Sequence, residues 1–235
     1  MNNMDLMFLG DIHGEYKVYL DYIKEYDIKD TNIIQLGDFG VGFSTLKKEK
    51  REINLFHSIL VKNNVHIWVV RGNHDNPSYF RNDPFNFANI HLMPDYSVLN
   101  LSDKNILFLG GAISVDRIIR TEGKSYWKDE NFILDVNKLK SLRNIDIVVS
   151  HTAPSYCTSM YRNTSIFDYY TIKGDSKLKL DLLTEQKNME LTFDILRQNN
   201  NITHHYFGHY HNSGVIEINN IKHRVLNINE LFNER

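Results

Sequence analysis

The sequence predicts an α/β fold, and three observations carry that prediction. Strand-length apolar runs alternate with stretches at helical spacing through the first 70 residues. Each of these runs stops at a glycine with polar residues around it, as in Val65–Asp75, VHIWVVRGNHD. A strand–helix–strand–helix–strand order implies parallel strands with helical crossovers, and in such sheets ligands gather at the C-terminal strand edge.

Asp5–Leu9 reads as the first strand, followed by a helix over Tyr16–Tyr26 with Tyr16, Tyr19, Leu20, Ile23 and Tyr26 on one face. Asn32–Leu36 reads as the second strand, and Lys47–Lys62 as a helix turning Ile53, Phe56, Ile59 and Leu60 inward. Val65–Val70 is the third strand, rich in β-branched residues. From Asp75 to Pro94 the turn signals Asn76-Pro77 and Asp83-Pro84 predict a loop with one short helical turn. Ser97–Leu101 and Asn105–Leu109 predict a hairpin around Ser102-Asp103-Lys104. Beyond a polar, basic and aromatic stretch, Ser114–Glu130, come a short helix over Lys138–Arg143 and a buried strand over Ile145–Val149. Ser155–Asp175 reads as irregular, Leu180–Gln198 as a long amphipathic helix and Thr203–Phe207 as a core strand; Val215–Leu226 forms a hairpin around Asn219-Asn220. With no repeat or linker, residues 1–235 are expected to form a single domain.

A net charge of −2 gives no global electrostatic case for nucleic acid or an acidic membrane surface, though a local basic cleft is compatible with it. The one cysteine, Cys157, rules out an intrachain disulfide framework and suits a reducing compartment. No leader-like segment and no membrane-length apolar run is read, so a cytoplasmic protein is expected.

The chemistry sits at the strand ends, where Asp11 and His13, Asp38, Asn73 and His74, His151, and His209 and His211 occur. Carboxylate, carboxamide and imidazole without thiol suit divalent Mn, Fe, Zn, Ni or Co. The set exceeds the needs of one ion. Two ions sharing a bridging carboxylate would use it, an arrangement suited to in-line attack on phosphorus with the metals about 3.5–4 Å apart.

Five blocks, GDIHG, GDFG, GNHD, SHTAP and GHYHNSG, span Gly10 to Gly214 in order. On these the sequence resembles the calcineurin-like metallophosphoesterases. Asp116-Arg117 and Ser125-Tyr126-Trp127 resemble a segment of small bacterial and phage members. The resemblance implies a four-layer α/β/β/α sandwich, two mixed sheets flanked by helices. It implies a first metal, with manganese the leading candidate, on Asp11, His13 and His211. A second metal falls to Asn73, His151 and His209, with Asp38 bridging. A metal-bridging hydroxide would attack the phosphate ester, His74 would protonate the leaving oxygen, and Asp75 would orient the His74 ring.

The phosphoprotein-phosphatase branch of the family has Val-Asp-Arg-Gly after its second block, whereas Phe39-Gly40-Val41-Gly42 follow Asp38 here. An anion clamp is therefore sought elsewhere, at Arg117 or Arg120, with Lys124 and Arg162 as further candidates. The expected function is hydrolysis of a phosphate mono- or diester, the substrate a small molecule or nucleotide, or else nucleic acid. A nuclease or cyclic-nucleotide phosphodiesterase shares the same core. A protein phosphatase is disfavoured by the missing arginine, and a non-catalytic scaffold by the intact His74 and ligand set. Substrate identity and oligomeric state leave no trace in the sequence.

Overall fold

The computed structural model describes residues 4–160, 169–171 and 173–234. Two sheets lie back to back. The first is built from β1 (Asp5–Leu9), β2 (Thr31–Gln35), β3 (Val65–Val69), β4 (Ile90–Leu92) and β11 (Leu231–Asn233), in the order β11-β1-β2-β3-β4. β1 to β4 run parallel and β11 pairs antiparallel with β1. The second is built from β5 (Val98–Leu101), β6 (Lys104–Leu109), β7 (Ile147–Ser150), β8 (His204–Phe207), β9 (Gly214–Ile218) and β10 (Ile221–Val225), in the order β5-β6-β7-β8-β10-β9. Its inner four strands are parallel, and the edge strands β5 and β9 are antiparallel.

Side-chain alternation along β1 makes the layers. Met7 and Leu9 face α1 (Lys17–Glu25) and α2 (Leu46–Asn63), packing with Tyr19, Ile23, Ile53, Phe56 and Leu60. Phe8 points the other way, into a seam between the sheets shared with Ile34, Ile106, Phe108, Val149 and Tyr206. On the loop after β3 sits a five-residue helix, α3 (Pro77–Arg81). Leu107, Leu109 and Val148 on the far face of the second sheet meet α4 (Val136–Ser141) and α5 (Leu178–Leu196) through Leu139, Met189 and Phe193. This is the four-layer α/β/β/α sandwich.

Side-chain caps start three of the described helices. Thr45 accepts from the Lys48 amide at α2, Asn76 from Ser78 at α3 and Asp135 from Lys138 at α4. Both expected hairpins form, their turns at Ser102-Asp103 and Asn219-Asn220 held in left-handed conformation. Two strands differ from expectation. Ile90–Leu92 and Leu231–Asn233 are three residues each, too short for a periodicity, and exist because β3 and β1 offer free edges. Ser155–Met160 is a 3-10 turn; Arg162 lies outside the described residues.

Candidate metal centre

Each motif closes a parallel strand, so the ligands meet at one edge of the sandwich. Asp11 and His13 follow β1, Asp38 follows β2, and Asn73 and His74 follow β3. His151 follows β7, and His209 and His211 follow β8. Four of them have non-glycine left-handed backbone, with φ of 47° at His13, 53° at Asp38, 69° at His209 and 48° at His211. Such conformations cost on the order of 1 kcal/mol each and aim these side chains off the strand axis into the cleft.

One ligand atom from each of Asp11, His13, Asp38 and His211 lies within 4.8 Å of the others. His13 Nε2 and His211 Nε2 are 3.1 Å apart, and His211 Nε2 is 3.3 Å from Asp11 Oδ2. Beside this group, His151 Nε2 is 3.1 Å from Asp38 Oδ1 and 3.1 Å from Asn73 Oδ1. The His209 ring packs against that of His151, centroids 5.0 Å apart. Asp38 faces both groups. Imidazole nitrogens, carboxylates and a carboxamide oxygen converging on shared points fit divalent cations. The chain holds the set in place by backbone and ring contacts. The His209 amide donates to both Asp11 oxygens at 3.1 Å, and the His74 amide to Asp38 Oδ1 at 2.7 Å. His151 Nδ1 bonds the Leu36 carbonyl at 2.7 Å, which leaves Nε2 for the site.

Glycines make room for this. A Cβ on Gly72 would lie 2.1 Å from Asp38 Oδ1, and one on Gly37 2.2 Å from His151 Nδ1.

Burial works against the charge on Asp38, but the imidazoles of His151, His74 and His13 hold its carboxyl well below the usual range. Burial likewise opposes protonation of His151, yet Asp38 and Asp11 raise it to about 10. His74 is pushed down, first by burial and then by Arg120 and His13, against the pull of Asp38.

His74 stands at the edge of the cluster of candidate ligands, its ring perpendicular to that of His13 at 4.9 Å. Phe43 stacks on it at 5.8 Å, and Phe43 meets the buried Trp127 edge-on. Arg120 bears on its nitrogens, with Nη2 2.6 Å from Nε2, and Asp116 grips Arg120 Nε at 2.6 Å. Asp75 does not orient this ring as expected. Its Oδ1 accepts from the Gly40 and Val41 amides and its Oδ2 from Phe39 and Gly72, at 2.8–3.3 Å, tying the loop after β2 to the loop after β3. Arg117 is no clamp either. Its guanidinium is held by Asp175 at 2.6 and 3.1 Å and by Asp181 at 2.6 Å, fastening the 3-10 turn Arg117–Ile119 to the start of α5. Lys124 is exposed. Among the described candidate cations only Arg120 lines the cavity of about 700 Å³ over the centre, which Tyr169 and Tyr170 also line.

Three residues of this site were not anticipated. Ser114 receives the Asn73 amide at 3.0 Å. The backbone of Ser114 donates to Glu130. Arg71, buried behind the Gly72–Asp75 turn, donates to the carbonyls of Glu130 and Gly110 and to Asp95. An arginine closing an apolar strand was the only signal available.

The fold is similar to that of a dimetal phosphatase from Danio rerio, with a TM-score of 0.57 at 12% identity over 96% of this chain and 87% of that one. A phosphopantetheinyl hydrolase from Mycobacterium tuberculosis is similar at a TM-score of 0.49 and 12% identity, over 96% and 90% of the two chains. The chain matches no curated protein sequence. Residues 4–213, which include every candidate ligand from Asp11 to His211, match the family model of the calcineurin-like phosphoesterases. The chain therefore belongs to that family and is a metal-dependent phosphoester hydrolase.

Proposed function

We propose that the protein hydrolyses a small phosphate ester at a two-cation centre. Asp11, His13 and His211 would hold one ion and Asn73, His151 and His209 the other, with Asp38 shared. The observation that carries this reading is the convergence of Asp11, His13, Asp38 and His211 beside the His74 ring. When bound, a pair of divalent ions, manganese first among the candidates, supplies positive charge to the phosphoryl oxygens and an acidified water for in-line attack.

The chain supplies the rest. His74 protonates the departing oxygen, a task suited to an imidazole at the mouth of the site. Arg120 presents a planar fork toward the same position and suits an equatorial phosphate oxygen. Phe43 stacks on one face of His74 and is itself met edge-on by Trp127. Among the described residues no helix is long and apolar enough to cross a membrane. The single buried thiol, Cys157, is consistent with a cytoplasmic location.

A phosphodiesterase reading is supported by the size of the cavity, which has room for a second ester arm. The test compares a nitrophenyl phosphate monoester with the matching bis-ester, using protein stripped of metal and reloaded with manganese. Monoester preference, abolished by Asp38→Asn, supports phosphatase action on a small substrate. Bis-ester preference supports the phosphodiesterase. No turnover with any of the five metals, despite bound ions, overturns both.

A further inference from the structure

Asn73 differs from the other residues of the site in one respect. Its two side-chain ends are nearly identical in shape, yet only the oxygen can face a cation. Something else in the protein has to decide which end points inward. Nδ2 donates to Ser114 Oγ at 3.0 Å, and Oδ1 faces His151 at 3.1 Å. A serine hydroxyl, however, gives or takes, so Ser114 alone does not fix the direction.

Glu130 does. Its Oε1 accepts the Ser114 amide at 2.8 Å, which sets the carboxylate, with Oε2 buried and lacking a hydrogen-bond partner among the described residues, close to the Ser114 hydroxyl. An ionised carboxylate only accepts, so it claims the hydroxyl proton and leaves Ser114 Oγ with a lone pair for Asn73. Donation then runs one way, from Asn73 to Ser114 to Glu130. Reversal would turn an NH2 group toward the cation. Both supporting residues are buried, and Arg71 fixes their distance from the Asn73 turn. Its guanidinium donates to the Glu130 carbonyl at 2.7 Å, while its own carbonyl accepts the Gly111 amide at 2.6 Å.

We propose that Ser114 and Glu130 are positioning residues that set the Asn73 amide oxygen toward the second cation. The inference rests on the two-cation reading given above. It assigns a purpose to the Ser114–Glu130 segment beyond Arg120 and gives the Glu130 carboxylate, whose Oε2 has no partner among the described residues, a reason to be buried.

The test is calorimetric titration of the metal-free full chain with manganese. Burial lifts the Glu130 carboxyl to about 7, so the titration is run at about pH 8, where the group is ionised. Wild-type protein is expected to bind two ions. Ser114→Ala is expected to weaken one of them by about 10- to 100-fold and leave the other unchanged. Glu130→Gln is expected to weaken the same one. Asn73→Asp puts an oxygen at both ends of the side chain, so in that background Ser114→Ala should have almost no effect on affinity. A merely structural Ser114 would weaken binding equally in both backgrounds. Thermal unfolding of metal-free Ser114→Ala checks the fold, and this variant alone decides the matter should Glu130→Gln fail to fold. Unchanged affinity in Ser114→Ala, or equal loss in the Asn73→Asp background, overturns the inference while the two-cation reading stands. A wild-type chain that takes up only one ion overturns both.

Discussion

The Arg120 guanidinium lies across the edge of the His74 imidazole, with Nη2 2.6 Å from Nε2 and Nη1 3.4 Å from Nδ1. Arginine has no acceptor, so with the fork in place Nε2 can only accept, and the ring has to gain a proton there before it serves the leaving oxygen. A phosphoester entering between them would draw the fork to its own oxygens and release the ring nitrogen. Arg120→Ala is therefore expected to lower kcat/KM by about 10- to 100-fold, the value of one or two charge-assisted hydrogen bonds. Arg120→Lys should recover only part of it, because an ammonium has no planar fork. Steady-state kinetics of the three proteins checks this, and full activity in Arg120→Ala would remove Arg120 from the site.

If His74 delivers the leaving-group proton, its importance must follow the leaving group. His74→Ala should cost about 10²- to 10⁴-fold with an alkyl phosphoester and far less with a nitrophenyl ester, whose leaving group is stable as an anion. Measuring both rates on one preparation gives the ratio. Equal losses would assign His74 another task.

Asp75 gathers four backbone amides from two loops and is fully buried. Asp75→Asn puts an amide NH2 against one pair of those donors. A stability loss of about 2–4 kcal/mol is expected in urea unfolding of the metal-free protein. Unchanged stability with lost turnover would restore the expectation that Asp75 serves the His74 ring.

Arg117 is bound to Asp175 and Asp181, so Arg117→Ala is expected to lower the unfolding free energy by about 1–2 kcal/mol and leave KM unchanged. A rise in KM at constant stability would return it to substrate binding.

Acid sensitivity has a source away from the metal centre. The buried rings of His205 and His223 bond through Nδ1 at 2.9 Å, His205 Nε2 meets Ser150 Oγ at 2.7 Å, and Phe193 covers both rings. Burial lowers His223 from 6.5 to about 4 and His205 well below its usual range. Above pH 6.5 both are neutral in folded and unfolded chains and contribute no pH dependence. As the pH falls from 6.5 toward 4 the unfolded chain takes up protons that the folded one refuses. Stability should drop by roughly 3 kcal/mol for His223 alone. Denaturant titrations at several pH values should show a shallower fall for His223→Gln than for wild type.

Much of this centre was readable because chemistry and secondary structure mark the same positions. Asp38 and His151 each end an apolar run, through Gly37 and Ser150, and an apolar run followed by a small residue and a candidate ligand is visible without coordinates. What stayed hidden depends on partners far away in sequence. The charge on Arg117 looked available because Asp175 and Asp181 lie 58 and 64 positions further on. Asp75 stands next to His74 in sequence, but successive side chains on a tight turn diverge, and it serves the Phe39–Val41 backbone instead. Ile90–Leu92 became a strand only because β3 presented an edge to it.

His13 and His211 touch across 198 positions of sequence, and the His209 amide closes on Asp11 across the same span. A chain emerging from the ribosome would build β1, β2 and β3 early and hold Asp11, His13, Asp38 and Asn73 as an open half-cage. His151, His209 and His211 join it only when β7 and β8 pack across the seam. The full set of candidate ligands thus comes together only once both sheets have met. A chain interrupted before residue 209 would carry most of the first sheet and none of the activity.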